Sequence, residues 1–294
     1  MGGAGVTHRT ASANPCAHTV MMDKHPFDLA LKLSPNEPGV YSGATSTAYW
    51  NMVGPFGGIT AATALKAVLL HPALLGEPIS LTINYAGPLA DGPFEVAAKP
   101  VRTNRSTQHW LIEMTQANAG GADEVMLTAT ALTAVRRPTW GSEDSPMPTV
   151  AAPAGFAEEK PMTAVEWIHR YDMRFVEGAF PIEWKGQGNS SLSRLWMRDT
   201  PARTLDFCSL TAMADIFFPR VYLRRALRVP AGTVSITVYF HADGAQLGES
   251  GTGYLLGQAK AQTFRNGFFD QTSQLWNEAG LLLATTNQIV YYKE

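Results

Sequence analysis

A single carboxylate, Asp215, interrupts the apolar stretch formed by residues 205–219 (LDFCSLTAMADIFFP). Helical spacing of apolar residues predicts a short buried helix here, with this apolar face: Phe207, Leu210, Ala214 and Phe217. Asp215 falls on a neighbouring stripe of small side chains: Cys208, Thr211 and Ala212. A carboxylate in such a seam is costly unless it is hydrogen-bonded, and burial raises its pKa towards the range of a general base. Asp215 is therefore the first candidate for chemistry. The alternative is a structural carboxylate at a helix end or in a salt bridge.

The elements that precede this stretch form one helix followed by strands. A turn of glycines and proline at 54–58 leads into an Ala-rich helix at 59–70, which His71 and Pro72 end. A leading segment, 27–48, contains a predicted strand near 39–47. Alternation of apolar and polar residues then predicts four antiparallel strands, at 79–88, 93–104, 108–117 and 124–135.

The same order of elements returns after a proline-rich crossover at 136–160, which has no periodicity. We expect the crossover to be pinned to a surface by three apolar side chains: Trp140, Met147 and Phe156. The second series comprises leading strands at 162–178 and 190–200, the helix that carries Asp215, and strands at 233–242, 254–266, 267–280 and 281–292.

Two matches between the series indicate an internal repeat. ISLTINY (79–85) is similar to VSITVYF (234–240), and TQANAGGADEVMLTATA (115–131) is similar to QLWNEAGLLLATTNQ (274–288). Each repeat is then a curved antiparallel sheet around one long helix, an α+β fold. The expected divisions are a flexible N-terminal segment, a first repeat, a proline-rich linker and a second repeat that carries the site, at 1–25, 26–137, 138–162 and 163–294.

These features resemble the double-hotdog acyl-CoA thioesterases of the type II (TesB-like) family, over roughly residues 30–294. GPFGGITAATAL resembles that family's first-helix opening, and LTAMADIFFP resembles the part of its second helix that carries an aspartate. TVSITVYFHA and LLATTNQIVYY are similar to its second-repeat strand and terminal strand. The resemblance implies two tandem hotdog repeats and hydrolysis of an acyl-CoA, an activity of fatty acid metabolism.

The resemblance also implies three site residues. Asp215 matches the family's catalytic aspartate, Thr233 its hydroxyl position and Gln288 its glutamine, which together hold and polarise the attacking water. Ser235 is the alternative hydroxyl if the strand register slips by two. The chain departs from the family in YFHAD, which lacks the basic residue and proline that often follow FH, and in a longer segment at 244–252, which is expected to alter the mouth of the site.

The first repeat is expected to be scaffold. Sequence pairing places Leu65 opposite Asp215 and Leu132 opposite Gln288, so its copy of the site is apolar. Backbone N–H groups at the start of the 205–217 helix or in the Gly-rich turn are the candidates for stabilising an oxyanion. The residues considered for an acyl tunnel are Trp50, Phe56 and Trp110.

The composition excludes several classes of function. A net charge of −2 and a pI near 6.4 give no basic patch for nucleic acid. The chain has no apolar run that could span a bilayer and no secretory signal. Its two cysteines, Cys16 and Cys208, are far apart in the sequence, and we expect them to be reduced thiols in the cytoplasm rather than a disulfide. No metal or organic cofactor is implied. The expected partner is the acyl-CoA substrate, and a homodimer or higher homo-oligomer is expected because exposed strand edges need covering.

Other chemistry is less well supported. The histidines His71, His109, His169 and His241 show no metal-ligand spacing, and no G-x-S-x-G elbow is present. Arg102, Arg105 and Arg136 are candidates for CoA phosphates, with solvent-exposed arginines of no special role as the alternative. Two rivals to thioester hydrolysis stay open: an enoyl-thioester hydratase, which usually needs an Asp and a His close together, and a non-catalytic acyl-CoA-binding protein.

Overall fold

The computed structural model describes residues 1–3, 24–160 and 164–294. The predicted flexible segment 1–25 lies almost wholly outside this range, as does Cys16. The first half contains α1 (Pro26–Ala30), β1 (Ser34–Glu37), β2 (Val40–Ala44), α2 (Gly57–Leu69), β3 (Glu77–Tyr85), β4 (Pro93–Thr103), β5 (Thr107–Ala117) and β6 (Asp123–Ala134). The second half contains β7 (Tyr171–Glu177), β8 (Ser193–Asp199), α3 (Phe207–Met213), α4 (Arg220–Arg224), β9 (Ala231–Phe240), α5 (Gly244–Ser250), β10 (Leu255–Lys260), β11 (Phe264–Arg265), β12 (Phe268–Asn277) and β13 (Leu282–Tyr292). Short 3-10 helices lie at Thr47–Tyr49, Pro153–Gly155 and Glu166–Arg170.

The strands of both halves join into one antiparallel sheet in the order β1-β2-β4-β5-β6-β3-β9-β13-β12-β10-β8-β7, and β11 pairs with β12. This order reads the same from either end once each strand is exchanged for its counterpart in the other repeat. The symmetry point falls in the β3–β9 pair, where Thr82 lies opposite Thr237 and their hydroxyls lie 3.0 Å apart. The structure therefore carries the internal repeat that the sequence indicates.

The longest helix, α2, lies against β4 and β5 of this sheet. α2 is rich in alanine and almost wholly buried, and it packs against α3. α3 begins with a capping box, in which the Asp206 carboxylate accepts from the Ser209 N–H and the Ser209 side chain accepts from the Asp206 N–H. None of the helices in the described part of the chain is long and apolar enough to cross a bilayer.

The prediction of one helix across 205–219 is wrong in length. α3 ends at Met213, and the N–H groups of Asp215 and Ile216 turn back to carbonyls three residues earlier. Pro219, which cannot continue a helix, then leads into the separate helix α4. Asp215 therefore lies just beyond a helix rather than within one.

One further prediction fails for a local reason. The strand expected at 254–266 is broken between β10 and β11, because the Asp270 carboxylate accepts from the N–H groups of Gln262 and Thr263 and holds a turn there. The longer segment at 244–252 is mostly α5, begun by a second capping box between Asp243 and Gln246. In the first half, the strand expected near 39–47 is β2, preceded by the unpredicted β1.

The crossover packs against the outer surface of the second half. Met147 and Phe156 lie on a cluster that includes Trp196, as predicted. Trp140, in contrast, is 88% exposed and pins nothing. The exact division of the chain into repeats and linker stays a prediction.

Candidate active site

The carboxylate of Asp215 lies in a buried polar contact between the two halves of the molecule. Gln288 Nε2 donates to Asp215 Oδ1 at 3.0 Å, and the Gly58 backbone N–H also donates to the carboxylate. Only 9% of the Asp215 surface is exposed. Burial raises the pKa of Asp215 to about 7, although the hydrogen bonds from Gln288 and Gly58 act in the opposite direction. The group can therefore change protonation state near neutral pH.

Thr233 contacts Gln288 because a β-bulge in β9 places its side chain on the same face of the sheet. Its hydroxyl donates to Gln288 Oε1 at 3.4 Å. The β9–β13 register shifts between the Ile289–Ser235 pair and the Val290–Thr233 pair, so that Val234 is an extra residue, a β-bulge. The bulge turns Thr233 to the inner face.

Ser235, the alternative hydroxyl, lies on the other face of the sheet. Its cross-strand partner Ile289 is on the exposed side, and Ser235 is not among the residues that line the cleft described below. The structure thus brings together Asp215, Thr233 and Gln288, and it leaves Ser235 apart from them.

The Gly-rich turn at the start of α2 approaches Asp215 closely. A Cβ atom on Gly57 would lie 2.7 Å from Asp215 Oδ2, so a side chain there would displace the carboxylate. The Tyr85 hydroxyl donates to the Gly57 carbonyl at 2.8 Å and fixes the turn. Burial and the nearby charge of Asp215 both raise the pKa of Tyr85, so its hydroxyl stays protonated. Neither Tyr85 nor the direct contact of Gly58 with Asp215 was predicted from the sequence.

Asp215, Thr233 and Gln288 line a cleft of about 470 Å³. The first half supplies two segments to its wall, 51–57 and 85–88, and the second half supplies the rest. Phe56 stacks on Trp167 with ring centroids 4.2 Å apart and closes one side of the cleft. The apolar part of the wall is aromatic and aliphatic: Phe217, Phe218, Tyr222 and Val290.

Among the residues considered for an acyl tunnel, Phe56 alone lines the cleft; Trp50 and Trp110 do not. The α5 segment is not among the residues that line the cleft, and the expected effect of 244–252 on its mouth stays a prediction. The start of α3 is occupied by its own capping box, whereas Gly57 lines the cleft. Of the two predicted sources of oxyanion donors, the Gly-rich turn is the one adjacent to Asp215.

Gln271 is a cleft residue that the sequence reasoning missed. It lies on β12 directly opposite Gln288 on β13, and only 1% of its surface is exposed. Its Nε2 atom has no hydrogen-bond partner among the described residues. The sequence pattern does indicate its position, because Gln271 alternates in step with Phe269 and Leu275, whose side chains are buried on the inner face of β12.

The remaining sequence candidates are engaged elsewhere. The Arg136 guanidinium donates to carbonyls of Pro78, Phe240 and His241, and Arg102 donates to Asn104. Neither arginine lines the cleft, and neither does Arg105. Cys208 is buried in the core. Across the described ranges, no group of three or more His, Cys, Asp or Glu side chains is arranged to hold a metal ion.

Strand register identifies the first-repeat counterparts of the site. Gln288 lies opposite Ile236 and Gln271, and the equivalent residue of β6, Ala131, lies opposite Leu81 and Trp110. The predicted pairing of Gln288 with Leu132 is therefore one residue out, because sequence similarity does not fix strand register to a single residue. Leu65 is fully buried on α2, and its pairing with Asp215 stays a prediction.

Two family models match the chain in tandem. The model for the acyl-CoA thioesterase N-terminal domain matches residues 46–134, and the model for the acyl-CoA thioesterase C-terminal domain matches residues 143–292. The chain belongs to the acyl-CoA thioesterase family. The family resemblance noted in the sequence is thereby confirmed, and the two tandem matches agree with the two repeats of the fold. A search of curated proteins returned no significant match.

Solved structures share the architecture. A conserved protein of unknown function with a hot dog fold from Alicyclobacillus acidocaldarius is 44% identical, with 92% of this chain and 98% of that chain covered and a TM-score of 0.85. The acyl-CoA thioesterase II TesB2 from Mycobacterium marinum is 16% identical over 91% and 98% of the two chains, with a TM-score of 0.71. The tesB protein of Mycobacterium avium subspecies paratuberculosis is 15% identical over 92% and 100%, also at 0.71. The predicted double-hotdog fold is confirmed.

Proposed function

We propose that this member of the acyl-CoA thioesterase family hydrolyses acyl-CoA to a free carboxylic acid and CoA, with Asp215 as the general base. The observation that carries the proposal is the buried carboxylate itself. It has a pKa near 7, it is held by Gln288 at 3.0 Å, and it lines a cleft with an apolar wall. A base with this pKa is half ionised at neutral pH, so a large fraction of it can accept a proton, and its affinity for that proton is still high.

In this proposal, Asp215 and Thr233 hold a water molecule against the thioester carbonyl carbon. The water oxygen forms a bond to that carbon while Asp215 takes one of the water protons. The tetrahedral intermediate then collapses, the carbon–sulfur bond breaks, and the CoA thiolate receives the proton from Asp215. Gln288 orients the carboxylate through its N–H without competing for the proton, because an amide does not titrate.

The negative charge that develops on the carbonyl oxygen needs hydrogen-bond donors. The first N–H groups of a helix have no intrahelical acceptor, and Gly57 is the first residue of α2 and lines the cleft. We propose its N–H as one donor. General-base catalysis contributes about 10²–10⁴-fold, so positioning and oxyanion stabilisation must supply the rest.

The test is a CoA-release assay over a panel of acyl-CoA substrates. We expect turnover by the wild type and a large loss in both Asp215→Asn and Gln288→Ala. Asp123→Asn removes an exposed carboxylate from the start of β6 and is the matched control, expected to keep the wild-type rate. Wild-type rates in both Asp215→Asn and Gln288→Ala would refute the site.

Two rival functions make different predictions in the same assay. A hydratase would add water to crotonyl-CoA without releasing CoA; the absence of any histidine among the described residues that line the cleft counts against it. A binding protein would take up acyl-CoA saturably without turnover, and Asp215→Asn would leave its affinity unchanged.

We further propose a single site per chain, because the first repeat has apolar residues at the corresponding strand positions. Cytoplasmic location and a homodimer or higher homo-oligomer also stay proposals. The sheet ends in β1 and β7, whose outer edges need covering. Light scattering of the purified protein decides the oligomeric state, and a monomeric mass would overturn that part.

A further inference from the structure

The amide of Gln271 is the buried polar group of the cleft that the proposed mechanism does not use. Its Nε2 atom is shielded from solvent and bonded to no described residue. An unpaired buried N–H is costly, and native proteins rarely leave one without a partner. Because the Gln271 side chain lines the cleft, the missing acceptor belongs to whatever occupies the cleft.

Other buried glutamines of the chain show how such an amide is satisfied when its role is structural. Gln116 Oε1 accepts from the Ala90 N–H, and its Nε2 donates to the carbonyls of Ala90 and Pro93. Gln108 is bonded at both ends in the same way, to Leu75 and Ala73. The free nitrogen of Gln271 is therefore a local feature of the cleft and does not describe glutamine in this fold generally.

The first repeat shows which side chain the scaffold holds at the corresponding position. The counterpart of Gln271 is Trp110, a core residue whose Nε1 donates to Thr133 at 3.1 Å. At this strand position the scaffold thus holds a large side chain whose one polar atom is bonded within the protein. Gln271, in contrast, is buried with its Nε2 atom unbonded, which points to recognition of a polar atom.

The location of Gln271 limits which polar atom that is. Directly opposed residues on antiparallel strands have Cβ atoms about 5 Å apart, so the Gln271 amide lies beside the Gln288 amide that holds Asp215. A thioester positioned for attack by water at Asp215 has its carbonyl group within reach of both strands. The carbonyl oxygen is the acceptor that every acyl-CoA presents there, whatever its acyl chain.

We propose that Gln271 is a further catalytic residue, whose side-chain N–H donates a hydrogen bond to the thioester carbonyl oxygen. The inference rests on the proposed function. It makes Gln271 a side-chain partner to the backbone donor at Gly57, since a carbonyl oxygen accepts two hydrogen bonds. The bond strengthens as negative charge develops on that oxygen, so its loss lowers kcat more than it raises KM.

The first experiment compares CoA release by the wild type, Gln271→Leu and Gln271→Met. We expect kcat to fall about 10²-fold in both variants, with a rise in KM of no more than about tenfold, since one oxyanion donor is lost. Gln116→Leu is the matched control: it breaks a bonded structural amide and is expected to lower thermal stability while leaving kcat of the folded enzyme unchanged. Full kcat in both Gln271 variants would overturn the proposal.

A second experiment needs no turnover, and it separates this proposal from the proposed function. Two inert CoA derivatives are titrated by calorimetry: a ketone analogue, which keeps the carbonyl and replaces the sulfur with CH₂, and an S-alkyl thioether, which lacks the carbonyl. We expect the wild type to bind the ketone about tenfold more tightly than the thioether, and Gln271→Leu to lose most of this preference, because only the backbone donor at Gly57 remains. An unchanged ratio in the variant would overturn the role of Gln271, as would failure of the wild type to bind either compound. Discrimination by a wild type that releases no CoA would instead refute hydrolysis alone.

Discussion

Three strand positions distinguish the two repeats of this molecule. Where the second repeat has Thr233, Gln271 and Gln288, the register places Pro78, Trp110 and Ala131 in the first. Both repeats also contain the same bulge, with Ile79 in β3 and Val234 in β9 as the extra residue. Both repeats therefore have the same backbone geometry at these positions, but only the second has polar side chains there.

The comparison indicates what the site adds to the scaffold. In the first repeat, the indole of Trp110 and the methyl group of Ala131 complete a dry core. In the second, two amides, a hydroxyl and a carboxylate occupy the equivalent region, and at least one amide nitrogen has no partner in the described structure. Buried polar groups of this kind reduce stability, and proteins keep them where function requires them.

The largest expected loss of activity comes from replacing Asp215, the carboxylate of the site. Asp215→Asn keeps the size of the side chain and a hydrogen bond to Gln288 but removes the base. We expect the rate of CoA release to fall by about 10²–10⁴-fold with a folded protein by circular dichroism. A rate within threefold of the wild type would show that the second repeat holds no general base at this position.

The same substitution has a predicted effect on stability. The Asp215 pKa is near 7 in the folded protein and about 4 in the unfolded chain, so between these values the folded state binds a proton that the unfolded state lacks. The contribution of Asp215 to the free energy of unfolding therefore falls as pH rises through this window, by about 1.4 kcal/mol for each pH unit, and levels off above pH 7.

Asp199 is also buried, and burial raises its pKa to about 7, so it contributes the same dependence. His71 and His241, whose pKa values burial lowers, act in the opposite direction. Asp215→Asn should then change the slope that the wild type shows in urea denaturation between pH 5 and pH 6.5 by about +1.4 kcal/mol for each pH unit, the contribution of one group. Identical slopes in the two proteins would mean that Asp215 is ionised throughout this range and is not a base near neutrality.

The reciprocal change tests the first repeat. Ala131→Gln places the second repeat's amide in the dry core beside Trp110. We expect a loss of about 1–3 kcal/mol in the free energy of unfolding, from overpacking and an unpaired amide, with no change in kcat. If this variant gains or loses turnover at full stability, the first repeat takes part in catalysis and the proposal of one site per chain is wrong.

A smaller effect is expected from the hydroxyl. Thr233→Val should lower kcat by several-fold to about tenfold, the range expected for one neutral hydrogen bond, while Thr233→Ser restores it. Ser235→Ala is the control on the same strand, because Ser235 lies on the outer face, and it should have no effect. Loss of activity in Ser235→Ala alone would show that the register at the bulge differs from the one described here.

The alternation of apolar and polar residues predicted most of the strands, but it did not predict which side chains of β9 face inward at the bulge. Alternation in VSITVYF correctly places Ile236, Val238 and Phe240 inward, but it also turns Val234 inward and Thr233 outward. The family resemblance named Thr233, and only the bulge reconciles the two. A bulge is a property of two paired strands, so one strand read alone does not reveal it.

Other parts of the site depend on contacts between distant segments. The approach of Gly57 to Asp215 joins residues from different repeats, and the exclusion of any side chain at Gly57 follows from that contact alone. The end of α3 before Asp215 was missed because the periodicity of its side chains continues beyond it. Gln271 has an ordinary strand environment in the sequence and becomes notable only when its nitrogen is found unpaired.

The central claim is that a carboxylate of raised pKa, moderated by Gln288, sets the activity of the second repeat. The most direct test is the pH dependence of kcat/KM for the wild type and for Gln288→Leu. We predict that the wild-type rate rises with pH to a plateau with a midpoint near 7. In the variant the midpoint should move to higher pH, because the lost hydrogen bond no longer lowers the pKa of Asp215. A wild-type midpoint below pH 5, or a midpoint that Gln288→Leu leaves in place, would contradict the account.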